Sequence, residues 1–139
     1  MTNMIKIGAD GAQLPANAKD WVAVLLPDHG LMFSATHVTE TDVAQAECEA
    51  ACKSLTLAGH NDWELPTIDQ LQLVIDRSRH NPAINTDFFR DIENDWYWST
   101  TPAAWSSASA WLVVFSHGFV GYARRGGGGF ALAVRRAGQ

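Results

Sequence analysis

The spacing of apolar residues changes partway along this chain, and that change limits the fold more than any other feature. Between Thr41 and Ile75 apolar positions recur at the 3.6-residue interval of a helix, whereas beyond Asp95 they recur at every second residue. Ala44, Cys48, Ala51, Cys52 and Leu55 line one face of a helix predicted over residues 41–57, with Thr41 as its cap and Ala58-Gly59 as its stop. A second helix starts at Thr67, where Thr67 and Gln70 have capping-box spacing. Ile68, Leu71, Val74 and Ile75 form its stripe, and the stretch 77–81 before Pro82 ends it.

The period-2 region divides into four predicted strands at 96–100, 110–116, 119–124 and 130–136. They are joined by a Pro/Ala/Ser loop at 101–109, by His117-Gly118 and by the glycines 126–129. Upstream of the helices, residues 21–26 and 31–34 read as a β-hairpin turning at Pro27-Asp28-His29-Gly30. Residues 81–95 read as a polar loop anchored by Phe88-Phe89. Hairpin, two helices and a terminal antiparallel meander define an α+β class. The 139 residues, 47% hydrophobic, suit one domain spanning 1–139, large enough to bury a core without disulfides or metals.

Charge and aromatic content single out the last third. Residues 1–95 hold all fifteen acids against six Lys or Arg, a balance of −9, while residues 96–139 hold four Arg and no acid. Nine of the fourteen aromatic residues also lie in that last stretch. Packing of a β core accounts for Trp98, Trp111, Phe115 and Phe130, and Trp63, Leu65 and Pro66 read equally as core. Trp105 lies among small residues where no periodicity requires it, leaving two readings open: an exposed binding anchor, or a lid folded back on the core. Tyr122 and Arg124 share a face with Val120. Arg124-Arg125 before four glycines reads either as an anion-binding hairpin or as a flexible tip with solvated arginines.

Several chemistries find no support in the residue pattern. The two cysteines lie four apart on a predicted buried helix face and read as reduced core residues. The five histidines show no zinc-ligand spacing, so no metal and no cofactor is expected. Ser99, His117 and Asp95 lack a nucleophile elbow, and Asp87, Asp91, Glu93 and Asp95 read as a solvated acidic rim, so no enzyme is expected. Two adjacent arginines on an acidic protein make too small a footprint for nucleic acid. No apolar run is long enough to cross a membrane, and the basic start of a signal peptide is missing. A cytoplasmic or virion-associated location is therefore expected over secretion through a signal peptide.

The ordered set Gly59, Asp62-Trp63-Glu64-Leu65-Pro66-Thr67, Gln70-Leu71, Trp96-Tyr97-Trp98-Ser99-Thr100, Ala110-Trp111, Phe115, Gly118 and Val134-Arg135 resembles the Lcl C-terminal domain family of bacterial and phage proteins. The resemblance covers residues 20–136. It implies a C-type-lectin-like fold, related to the sulfatase-modifying-factor group, and recognition without catalysis. Glu64 stands where that family usually has Arg, which removes or reverses any ion pair made there. The cysteine pair that the formylglycine-generating relatives use is missing, because no cysteine follows Cys52. The triplets with which similar lectins bind sugar through calcium are also missing.

The expected function is a binding domain for a carbohydrate or a protein, with Trp105, Tyr122, Arg124 and Arg125 as ligand-contacting residues. The alternatives are a virion component that uses the same surface for assembly and an intracellular inhibitor of a bacterial protein. Leu112 and Val114, facing away from Trp111, Val113 and Phe115, require a cover. Either the segment around Met4–Ile7 supplies it or a second subunit does, which would make a homo-oligomer.

Overall fold

The computed structural model describes residues 3–137. The N-terminal hairpin forms as expected: β3 (Ala23–Leu26) pairs antiparallel with β4 (Leu31–Ser34), and Gly30 takes the positive φ of 61° that the turn needs. Two further strands extend it. Ile5 and Ile7 alternate around Lys6 in β1 (Ile5–Ile7), which pairs with β3 and with the two-residue β2 (Gln13–Leu14). The Met4–Ile7 segment thus joins a sheet, and Ile5 and Ile7 belong to the same apolar cluster as Leu112 and Val114.

Both helices are shorter than their apolar stripes. α1 covers Gln45–Lys53, and its N-cap is Ala44, with no side-chain cap bond. Thr41 lies outside the helix, and the Gln45 amide donates to the Arg125 carbonyl at 2.9 Å. Ala58 and Gly59, with φ of 55° and 79°, turn the chain between the bridged residues Leu57 and His60 and do not end the helix. α2 covers Ile68–Gln72. Its capping box forms in full: Thr67 Oγ1 accepts from the Gln70 amide at 3.2 Å, and Gln70 Oε1 accepts from the Thr67 amide at 2.9 Å. From Leu73 to Asp95 the chain runs through turns and bends with no further helix.

The expected four-stranded meander divides between two sheets. β5 (Trp96–Ala103), β6 (Ser106–Val114) and β7 (Phe119–Arg124) form one sheet in that order. The segment predicted as a loop at 101–109 is mostly strand, closed by the two-residue turn Ala104-Trp105. The fourth strand is only β8 (Val134–Arg136), and it pairs with β4 at the edge of a five-stranded sheet ordered β2-β1-β3-β4-β8. Residues 130–133 pass between the sheets, all buried: Phe130 exchanges hydrogen bonds with Trp96 and Trp98 on the outer edge of β5, and Ala131 and Ala133 bond toward Val38 and Ser34.

Two apolar clusters follow from this layout. Tyr97, Val113 and Phe115 join Phe33, Leu71, Ile84 and Phe89 in one. Trp98, Ala110 and Leu112 join Cys48, Cys52, Trp63 and Leu65 in the other. Leu112 is therefore covered from within the same chain, with Val114 packed against that cluster, which removes the argument for a second subunit at that face.

Candidate recognition surface

Register places the site. In the β6–β7 ladder Trp111 lies directly opposite Tyr122, Val113 opposite Val120 and Ser109 opposite Arg124. All six side chains share one face of the sheet. At the Val113 and Val120 end that face is packed into the core. Toward Ser109 it runs beyond the core, and Trp111 is only half-buried there, where the sequence reading made it a core residue.

The hairpin turn then folds Trp105 over the same face. Trp105 meets Trp111 at 5.5 Å between ring centroids and Tyr122 at 4.9 Å, and Trp111 meets Tyr122 at 5.9 Å. All three pairs are within 13° of perpendicular, the edge-to-face arrangement that aromatic quadrupoles favour. Trp105 remains 60% exposed and Tyr122 56%. Trp105 therefore rests on other surface rings and is not a lid on the core.

The two arginines separate. Arg124 is exposed, and its guanidinium has no ion-pair or hydrogen-bond partner among the described residues. Arg125 is half-buried and engaged: Nε donates to the Ser107 carbonyl and Nη1 to Gln45 Oε1, both at 2.9 Å. Gln45 in turn donates through Nε2 to the Ser99 carbonyl at 3.0 Å, so Arg125 ties α1 to the hairpin that carries Trp105. The glycine tip has an acid beside it, since a Cβ on Gly128 would lie 2.5 Å from Asp42 Oδ2. An anion at that backbone would meet a carboxylate, which favours the solvated-tip reading of the loop.

The remaining motif residues are structural. Trp63 is buried and its Nε1 donates to the Leu57 and His60 carbonyls, both at 3.2 Å. Glu64 makes a backbone bridge to Val134, and the ion pair of this region forms beside it, where Arg135 forks onto Asp62 at 2.6 and 3.2 Å. The hydrogen bond from Arg135, more than any other cause, holds the Asp62 carboxyl below its usual range. Burial pushes the Cys48 and Cys52 thiols up to about 12, with neighbouring carboxylates adding to it, so neither is a ready thiolate. Ser99 donates to the Trp111 carbonyl at 2.6 Å, and His117 Nδ1 bonds Ser116, so Ser99 and His117 share no hydrogen bond. Among the described residues no group of three His, Cys, Asp or Glu is placed to hold a metal ion.

The sequence reading missed two features of this surface. Trp111 belongs to the exposed cluster, and its signal was the small polar run Ser106-Ser107-Ala108-Ser109 just before it, where the apolar face gives out. Phe119 is 63% exposed and stacks on His117 at 5.4 Å, and no short-range pattern marks that pair.

Fold and surface together define an α+β domain that presents aromatic side chains from an antiparallel sheet. The model of the Lcl C-terminal domain matches residues 23–135, and the chain belongs to that family. No curated protein matches the chain.

Proposed function

We propose that this domain is a non-enzymatic recognition module of bacterial or phage origin that binds a carbohydrate or a protein surface through Trp105, Trp111 and Tyr122, with Arg124 at the rim. The observation that carries this reading is the cluster of three interlocked rings standing in solvent. Exposed large aromatics at a fixed geometry supply contact area at low entropic cost, and such residues dominate binding energies. Ser107, Arg124 and the Tyr122 hydroxyl add polar groups around the rings, a combination suited to the mixed apolar and hydroxyl faces of a sugar. A C-type-lectin-like architecture is part of the same reading. It is supported by the family membership and by the order of hairpin, helices and antiparallel strands.

Glycan and protein arrays at low salt test the proposal. Binding should fall about 30-fold in Trp105→Ala, the equivalent of ~2 kcal/mol for a central anchor, and less in Arg124→Ala. No binder on either array, or binding unchanged in Trp105→Ala and Tyr122→Ala, overturns it. The assembly reading, a virion component that uses this sheet as an interface, is favoured by one observation of its own: Phe119, at the far end of β7 and on the opposite face from the cluster, is as exposed as Trp105.

A further inference from the structure

We infer that β7 pairs with β7 of a second copy of this chain, antiparallel about a twofold axis through Gly121, giving a continuous six-stranded sheet with two aromatic clusters on one face.

The inference starts from backbone accounting. Arg125 donates its amide to the Ala108 carbonyl at 3.0 Å, which fixes the phase of the β6–β7 ladder. Hydrogen-bonded and non-bonded pairs alternate in an antiparallel ladder, so Phe119, Gly121 and Ala123 also turn their amides and carbonyls toward β6. Val120 and Tyr122 therefore point both groups outward, at the edge of the sheet. The opposite edge of the same sheet is closed. Along β5, Trp98 and Thr100 donate to the Phe130 and Pro66 carbonyls at 2.9 and 2.8 Å, and Trp96 accepts from the Phe130 amide at 2.8 Å.

β7 also lacks most of the devices by which proteins protect an open edge, and its one charged side chain, Arg124, stands at the end of the strand. It has no proline, no lysine and no bulge, and it runs six residues in unbroken register with β6. Two of the large apolar side chains exposed on the described surface, Phe119 and Tyr122, lie on it, and the third, Trp105, touches Tyr122. Apolar exposure converges on the strand at the open edge of this sheet.

A second copy fits this edge because the strand is self-complementary. With Gly121 facing the partner's Gly121, Val120 and the partner's Tyr122 exchange both backbone bonds, and the twofold repeats the pair, so the four outward groups of Val120 and Tyr122 are satisfied. Phe119 then lies opposite the partner's Ala123, and Arg124 opposite the partner's Gly118, which keeps like charges off one another. The central pair is a non-bonded one, the closest approach in such a ladder at about 4.5 Å between Cα atoms, and glycine meets it without side chains. A twofold normal to the sheet leaves both copies of Tyr122 on one face, so the two clusters adjoin and a repeated ligand gains from two sites at once.

Sedimentation of the purified chain without any ligand tests this separately from the recognition reading, since the dimer needs no ligand and the array needs no dimer. The expected result is a concentration-dependent rise in mass from 15.2 kDa toward twice that value. Tyr122→Pro removes an outward amide that β6 does not use, and it should hold the chain monomeric with its circular dichroism retained. A Cβ on Gly121 meets only Leu112 Cδ1, at an ordinary 3.9 Å, so Gly121→Glu and Gly121→Lys should each fold as monomers, and mixing them should restore the dimer. A wild-type chain that stays monomeric at every concentration overturns the inference. So does a dimer that survives Tyr122→Pro and Gly121→Glu, or a mixture of the charged variants that stays monomeric.

Discussion

Trp21 and Trp105 put the same side chain to opposite uses in the two sheets. Trp21 sits beside the first sheet, 7% exposed, with its Nε1 donating to the Phe88 carbonyl at 2.7 Å and Lys6 Nζ 3.8 Å from a ring centroid. The Arg90 guanidinium lies 4.3 Å from the same indole and donates to the Trp21 carbonyl. There the indole, together with the Ala18 carbonyl at 2.8 Å, receives a lysine buried to 5% exposure, which no carboxylate pairs among the described residues. Trp105, at the tip of the second sheet, meets the Trp111 and Tyr122 rings and stays 60% exposed. The first site spends aromatic area on holding cations inside, and the second leaves cation and rings facing outward.

The sharpest way to break this comparison is to truncate both indoles. Trp21→Ala should destabilise the fold by about 4 kcal/mol, because it opens a cavity and strips the cover from Lys6. Trp105→Ala should cost under about 1 kcal/mol, while weakening the binding proposed above. Chemical denaturation of both variants reads the contrast, and equal losses would mean that Trp105 is part of the core. A second pair probes how tightly the crossing segment is held. A Cβ on Gly129 would lie 2.8 Å from Trp98 Nε1 and 3.3 Å from the Trp96 carbonyl, whereas one on Gly126 meets nothing within 4 Å. Gly129→Ala should therefore cost about 1–3 kcal/mol by overpacking, and Gly126→Ala should be close to neutral, as thermal melts of the two will show.

The smallest effect belongs to the Asp62–Arg135 pair, whose carboxylate stands in solvent although the Arg135 side chain is mostly buried, so that screening leaves it worth little at neutral pH. Its sign is nevertheless fixed. The folded-state carboxyl titrates below the unfolded one, so its contribution is present above the unfolded value and is lost as pH falls through the folded value. Melting temperature measured from neutral to acidic pH should fall less steeply in Arg135→Gln than in the wild type, and parallel curves would dismiss the pair.

Local chemistry was legible in the sequence. The Thr67–Gln70 capping box, the Pro27–Gly30 turn and the 119–124 strand form where the residues place them, because each depends on neighbours a few positions away. The family likeness was legible too, since the motif order survives in one dimension. Long-range choices were not. Nothing local tells residues 134–136 to pair with β4 and not with β7, and Trp111 alternates with Val113 and Phe115 like any core residue until the register shows where the core stops. The site was half visible for the same reason: Trp105, Tyr122 and Arg124 stood out by composition, whereas the engagement of Arg125 with Gln45 crosses 80 residues.

The crossing of residues 130–133 between the sheets has a kinetic consequence. Leu31 pairs with Arg136, so a contact about a hundred residues long must close before β4 has its second neighbour. Topologies dominated by such distant pairings fold slowly. During synthesis the hairpin and both helices leave the ribosome well before the strand that fills the space between the sheets. Until that strand arrives, the chain must hold its two apolar clusters open, and a nascent protein in that state is a natural client for chaperones.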